Sequence, residues 1–231
     1  MSESDQQTPF EPTATVFIVD DESDIRRAVS LLVRSVGLAD ESYATAQDFL
    51  DRYDPRKTGC LVLDVRMPGM SGLELQKMSH TKGNLPPIVF LSGYGEIPLA
   101  VQALRAGAVD FIQKPFSSQT LLERIHEAIA LDQANRRERA LSREFADRTA
   151  LLSRRERQIM DLLIQGDSSK QIARRLSISP KTVDNHRTKI LEKMQVDNPT
   201  QLARLAAALP HPNHSMCCAP PSQDSVLPMP S

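Results

Sequence analysis

The sequence predicts an α/β fold, a flavodoxin-like doubly wound parallel sheet, followed by a small all-α domain. Three observations predict it. Short, continuously apolar runs alternate with helical patterns up to residue 131, and helical patterning alone continues from residue 150. The charge balance changes sign between the two stretches. Residues 15–131 carry 12 Lys and Arg against 15 Asp and Glu, whereas residues 151–209 carry 11 against 6. An acidic front and a basic back predict that only the back half meets a polyanion.

The elements follow in order. Val16–Val19 is an apolar run ending in Asp20-Asp21, Leu61–Leu63 ends in Asp64, and Ile88–Leu91 ends in Ser92. Val109–Ile112 is a fourth strand, and a weaker one lies near Ser42-Tyr43-Ala44. Helical patterns fill the gaps at Ile25–Val36, Ala46–Tyr53, Gly72–Ser79 and Ile97–Ala106, the last closed by Gly107. Continuous apolar strands separated by helices imply a parallel sheet covered on both faces. A helix from about Ser118 sets Leu121, Leu122, Ile125, Ala128 and Ile129 on one face, then runs into a charged stretch without Gly or Pro. Residues 132–149 read as an exposed helical linker between a domain at 15–131 and one at 150–209. Ser153-Arg154-Arg155-Glu156 fits a capping box, and Ser179-Pro180 and Asn198-Pro199 open two further helices. Residues 1–14 and the Pro-rich 210–231 read as disordered tails.

The chain of 231 residues is 40% hydrophobic and 25% charged, ordinary for a globular protein. No apolar run approaches the roughly 18 residues of a membrane span, and MSESDQQTPF has no signal-peptide character. The three cysteines, Cys60, Cys217 and Cys218, suit no disulfide framework. These features predict a cytoplasmic protein without a membrane partner. His211, His214, Cys217 and Cys218 tempt a metal assignment, but their spacing matches no closed zinc site.

Asp20, Asp21, Asp64, Ser92 and Lys114 all fall at the carboxyl ends of predicted strands, where doubly wound sheets gather functional groups. Three carboxylates there repel one another unless a cation intervenes, and hard oxygen ligands point to Mg²⁺. A carboxylate, a metal, a lysine and a hydroxyl can together accept a phosphoryl group. No Gly-rich phosphate loop is present, so a nucleotide is not the implied donor. Singly, each residue has an ordinary reading, such as a helix cap, a turn acid or a strand exit. As five groups on successive strand ends they make coincidence a poor account.

The acid pair Asp20-Asp21, the segment LDVRMPGMSG, Ser92-Gly93 and FIQKPF resemble, in order, the receiver domain of two-component response regulators. The resemblance implies that Asp64 is phosphorylated by a cognate sensor histidine kinase. It implies that Asp21, Asp64 and the backbone carbonyl of Arg66 hold Mg²⁺, with Asp20 supporting the metal waters. Ser92 and Phe111 would form a switch pair, Lys114 would ion-pair with the phosphate, and Lys114-Pro115 resembles the family's cis peptide. Tyr94, two residues past Ser92, has two readings, one in which it partly screens the acyl phosphate and one in which it is an exposed loop residue.

In the back half a short helix, a turn Ser-Ile-Ser and a longer helix succeed one another, and helical spacing turns Val183, Ile190, Leu191 and Met194 inward. Lys181, Asp184, Asn185 and Thr188 fall on another face, flanked by His186, Arg187 and Lys189. Short polar side chains among cations suit a major groove, although a solvated cationic helix has the same composition. The segment from Leu152 resembles the LuxR-type helix-turn-helix. That resemblance implies a recognition helix at Ser179–Met194, with Thr182, His186 and Lys189 on backbone and Asp184, Asn185 and Thr188 facing bases. Asp184 departs from the cation common in relatives.

Receiver and output together resemble the FixJ/NarL class of regulators. The resemblance implies a homodimer on phosphorylation, with a face around Val101 and Arg105, binding a two-fold site on double-stranded promoter DNA and meeting RNA polymerase. The chain is then a regulator, with only its own phosphorylation and dephosphorylation as chemistry. A phosphatase with Asp64 as nucleophile needs an acid two residues on, where Arg66 stands. The alternative is a receiver that docks proteins without phosphorylation, joined to constitutive DNA binding.

Overall fold

The structure, a computed structural model, describes residues 14–82, 85–93, 97–207 and 209. The chain divides into two compact units between Arg137 and Glu138. The two expected tails lie outside the described residues, except that Ala14 is buried in the first core.

In the first unit, strands β1 (Thr15–Val19), β2 (Ala39–Tyr43), β3 (Gly59–Asp64), β4 (Ile88–Ser92) and β5 (Asp110–Gln113) pair in the order β2-β1-β3-β4-β5. Every pairing is parallel, with Val16 opposite Cys60, Leu63 opposite Phe90 and Phe90 opposite Phe111. Helices α1 (Ser23–Ser35), α2 (Ala46–Arg52), α3 (Gly72–Lys82), α4 (Ile97–Arg105) and α5 (Ser118–Ala150) connect and follow them.

The period-2 alternation of each strand divides its side chains between two cores. Val16, Ile18, Val62, Val89, Leu91 and Ile112 pack with Val29 and Val33 of α1 and with Leu121, Ile125 and Ile129 of α5. Phe17, Val19, Leu61, Leu63 and Phe90 pack on the other face with Phe49 of α2, Leu75 of α3 and Ala103 of α4. Strands buried on both faces need unbroken apolar runs, which is why β1, β3 and β4 stand out in the sequence.

The weak second strand lies at Ala39–Tyr43, earlier than Ser42–Ala44. It is an edge strand, and its acids conceal it. Asp40 pairs with Arg34 of α1, and Glu41 pairs with Lys57. Acidic residues disfavour a strand in general, but tertiary pairing overrides that preference, and charges on an edge deter pairing with other chains.

Helix α5 is continuous over 33 residues. Its exit from the first unit is fastened by a carboxylate that the sequence pattern presents as linker. Asp132 is buried and accepts the Gly59 backbone N–H at 2.9 Å and Arg136 Nε at 2.7 Å through the same oxygen. The remaining Arg136 nitrogens donate to the carbonyls of Pro55, Arg56 and Lys57. Gly59 is required there, because a Cβ would lie 1.8 Å from the Thr15 carbonyl oxygen of the neighbouring strand.

In the second unit, α6 (Arg154–Ile164), α7 (Ser169–Leu176), α8 (Pro180–Met194) and α9 (Pro199–Ala207) surround Ile159, Met160, Leu163, Ile172, Val183, Ile190, Met194 and Leu202. Phe145 of α5 packs against this core, and Arg148 donates to the Met194 carbonyl at the end of α8. Leu176 and Leu162 are only partly buried.

Removing the Asp132 carboxylate leaves the Gly59 N–H without its buried acceptor, a loss of about 1–3 kcal/mol. Asp132→Ala is expected to accelerate hydrogen exchange of the Gly59 amide by roughly 10- to 100-fold. Amides of α8 should keep their exchange rates.

Candidate functional site

Asp20 and Asp64 sit at the ends of β1 and β3, the neighbouring central strands between which the strand order reverses. Lys114 follows β5 and reaches across to both. Its Nζ donates to Asp20 Oδ2 at 2.8 Å and to Asp64 Oδ1 at 2.9 Å, and also to Glu22 Oε1 at 3.1 Å. Asp20 and Asp64 are both buried. Burial pushes the Asp64 carboxyl above its ordinary value, with the Lys114 ammonium opposing the shift. Burial works against the Lys114 ammonium, but the hydrogen bonds to Asp20, Asp64 and Glu22 outweigh it and hold the group above its ordinary value.

Backbone groups fix both carboxylates. Asp20 Oδ1 accepts the Glu22 N–H, and Asp64 Oδ2 accepts the Arg66 N–H at 2.9 Å. Arg26 of α1 ties down the Asp20 and Asp21 carbonyls. Behind Asp64 the chain turns tightly into α3. A Cβ on Gly72 would stand 2.2 Å from the Asp64 carbonyl oxygen and 3.0 Å from the Phe90 ring. The Lys114-Pro115 peptide is cis.

The remaining expected pocket residues are arranged around this cluster. The Asp21 and Arg66 side chains are exposed. Ser92 is buried at the end of β4, and its hydroxyl donates to the Gly93 carbonyl at 2.9 Å. Phe111 is half-buried on β5, its ring 6.1 Å from that of Phe90. Val101 and Arg105 lie exposed on α4, together with Leu104 and Ile97. Tyr94 lies outside the described residues.

Among the described residues, no group of three or more His, Cys, Asp and Glu side chains is set closely enough to ligate a metal. The donor set nevertheless fits a hard divalent ion. Two buried carboxylates already share one cation, the Lys114 ammonium, and an ion that keeps several waters needs few protein oxygens.

In the helical unit Ser153 and Ser168 cap α6 and α7 with complete capping boxes, and Ser179 caps α8 before Pro180. Helix α8 buries Val183, Ile190 and Met194 and half-buries Leu191. Lys181, Asp184, Asn185, Thr188 and Lys189 are exposed, and Thr182, His186 and Arg187 are half-buried. Thr182 shares a hydrogen bond with the Ser179 hydroxyl, and Thr188 donates to the Asp184 carbonyl. The Asp184 carboxylate accepts the Ser169 hydroxyl of α7 at 2.7 Å.

Comparisons with known proteins agree with this anatomy. Residues 16–126 match the response regulator receiver domain family, and residues 150–206 match the luxR family of bacterial regulatory proteins. The chain is 41% identical over 196 residues to the response regulator protein TodT of Pseudomonas putida, covering 85% of this chain and 86% of that one. It is 40% identical over 191 residues to the transcriptional regulatory protein FixJ of Bradyrhizobium diazoefficiens, covering 83% and 93%. The solved structure of the response regulator StyR matches with a TM-score of 0.74 at 39% identity, covering 84% of this chain and 98% of that one.

The chain belongs to the response regulators. This response regulator joins a receiver domain to a LuxR-type DNA-binding domain and is a transcriptional regulator. Among the described residues, no helix is long and apolar enough to cross a membrane.

Several working residues of the regulator escape the sequence pattern. Glu22 joins the Lys114 cluster, and only its place in the run Asp20-Asp21-Glu22 hints at that. Glu156 reads as a capping residue, yet its Oε2 also accepts Lys193 Nζ at 2.7 Å, tying α6 to α8. Nothing in the spacing of 37 residues signals that pair. Arg155 likewise donates to the Leu176 carbonyl at the end of α7.

Lys193, then the Ser153 N–H, holds the Glu156 carboxyl down at about 2, below its ordinary 4.5. A depressed value stabilises the folded state above pH 4.5, and the contribution is lost as pH falls from 4.5 towards 2. Half-exposed Lys193 screens the pair, so the contribution is about 1–2 kcal/mol. Glu156→Gln is expected to lower helical-domain stability at pH 7 by that amount. It should also flatten the acid limb of the unfolding midpoint between pH 4.5 and 2.

Proposed function

We propose that Asp64 accepts a phosphoryl group from a sensor histidine kinase and that the modification switches the receiver to a dimer able to bind promoter DNA. The observation that carries the reading is the Lys114 ammonium bonded at once to Asp20 and Asp64 on adjacent strand ends. A cationic arm between two buried carboxylates is suited to a site whose anionic charge grows during its work.

The transfer breaks the phosphohistidine P–N bond and forms a P–O bond to an Asp64 carboxylate oxygen, giving an acyl phosphate. The histidine nitrogen leaves with the bonding pair. Asp21, Asp64 and the Arg66 carbonyl would hold Mg²⁺, with Asp20 supporting its waters. The ion would neutralise charge on the transferring group. Lys114 then exchanges its carboxylate partners for a phosphoryl oxygen. The Ser92 hydroxyl leaves the Gly93 carbonyl for another, and Phe111 turns inward beside Phe90.

That rearrangement reaches the surface through α4 and β5, where Val101, Leu104 and Arg105 are exposed. A dimer formed there pairs two helices α8, so the operator is a two-fold pair of half-sites. Lys181, Thr182, His186 and Lys189 hold phosphates, and Asp184, Asn185 and Thr188 face bases. RNA polymerase is the partner at the promoter.

Solution mass by light scattering tests the switch. With Mg²⁺ and beryllofluoride, a phosphoryl mimic, the wild-type chain is expected to double in mass, whereas Asp64→Asn and Val101→Asp stay monomeric. An unchanged wild-type mass, or a doubling in Asp64→Asn, would overturn the reading.

A further inference from the structure

Asp184 is an anion on the exposed face of a helix otherwise dressed with Lys181, Arg187 and Lys189. On a face that approaches phosphates, a carboxylate is repelled by every duplex it meets. It earns a place there only by meeting a donor. This carboxylate has a partner across the motif: Ser169, the first residue of α7, donates its hydroxyl to Asp184 Oδ1 at 2.7 Å. The two residues lie on the two helices of the helix-turn-helix, which the αL residue Ser177 and the bond from the Ile178 N–H to the Ala173 carbonyl hold in fixed relation. Ser169 itself is held at the start of α7, next to Ser168, whose side chain caps the helix together with Gln171.

We propose that Ser169 positions the Asp184 carboxylate as a fixed acceptor for the N4 amino group of a cytosine in each half-site. The pair is therefore a specificity determinant. This rests on the reading that α8 enters the major groove. An ionised carboxylate offers about four lone-pair sites, so the Ser169 bond occupies one and leaves others for a base. In the major groove the cytosine amino donor has an acceptor on one side only, the O6 of its guanine partner, whereas the adenine amino group lies between two. Adenine places N7, an acceptor, next to its N6 amino group, and guanine presents two acceptors. Both purines therefore repel an anion that cytosine accepts. The hydroxyl bond keeps the oxygen in register with the base edge, so less rotamer freedom is lost on binding.

Sequences selected from a randomised duplex library by the beryllofluoride-treated full chain test the proposal. The wild type is expected to select C·G at one position of each half-site. Asp184→Ala should relax that position alone by roughly 10-fold and tighten binding to random duplex. Asp184→Asn should move the preference to A·T, since an amide pairs bidentately with adenine. Ser169→Ala should weaken the C·G preference several-fold, and Ser169→Thr, which keeps the hydroxyl, should restore it. A merely structural bond between α7 and α8 would change affinity for all sequences together and leave the position's preference intact, and that result would overturn the proposal. So would a lost preference for any pair other than C·G. Asn185→Ala and Thr188→Ala separate the two levels. If they alter the selected sequence while the Asp184 and Ser169 variants do not, this inference fails alone; if none of the four alters it, the groove reading fails.

Discussion

The first domain is organised around one electrostatic constraint: two carboxylates buried side by side at the ends of β1 and β3 need a cation between them. Lys114 supplies it, with bonds of 2.8 and 2.9 Å. Burial and the neighbouring Asp20 charge press the Asp64 carboxyl towards protonation, and the ammonium opposes them. The parallel topology is what makes the contact possible. Only an arrangement that brings the carboxyl ends of β1, β3 and β5 to one edge lets a residue after β5 reach acids after β1 and β3. The tight turn at Gly72 and the Arg66 N–H then fix how the Asp64 carboxylate presents itself.

At the opposite end of β3 a second carboxylate does a different task. Asp132 anchors α5 to Gly59, and Arg136 spans three carbonyls of the preceding loop. Its buried charge is neutralised within its own helix and satisfied by a backbone donor, the conditions under which burial of an acid is tolerated. Farther along the same helix, Phe145 and Arg148 belong to the other unit's packing. The same helix thus contributes to the packing of each domain, through Leu121, Ile125, Ala128 and Ile129 in the first and Phe145 in the second, and its charged stretch reads as linker because Asp132, Arg136 and Arg148 act through polar contacts that no apolar stripe announces.

What was legible in the sequence follows the same physics. The central strands were plain because burial on both faces demands unbroken apolar runs, and Asp20, Asp64 and Ser92 stood out as the polar residues at which those runs stop. The helical domain was legible through its caps: Ser153, Ser179 and Pro180 lie where the spacing puts them. The rest was hidden for definable reasons. β2 is an edge strand whose acids are matched by Arg34 and Lys57 only in three dimensions. The pairs Asp132–Gly59, Glu156–Lys193 and Ser169–Asp184 join residues 73, 37 and 15 apart, beyond any local period. Family resemblance named the pocket residues but said nothing of Glu22, because resemblance carries over motifs and not the salt links a particular chain adds.

The proposed switch can be weighed in energy. Moving a receiver from about 1% to 99% active requires roughly 5.5 kcal/mol of differential stabilisation. A charge-assisted hydrogen bond contributes about 1.5–3 kcal/mol. Exchanging the Ser92 bond to a neutral carbonyl for one to a phosphoryl oxygen gains only part of that figure, since the old bond is lost. Lys114 also begins with three anionic partners, so its transfer gains less than a new ion pair would. Two such exchanges fall short of a complete switch in an isolated domain. In the proposed switch, association would supply the remainder by burying the apolar side chains that α4 leaves exposed at Ile97, Val101 and Leu104. Under the proposed function, dimerisation would then be part of the activation equilibrium itself, and the degree of switching would depend on protein concentration as well as on phosphorylation.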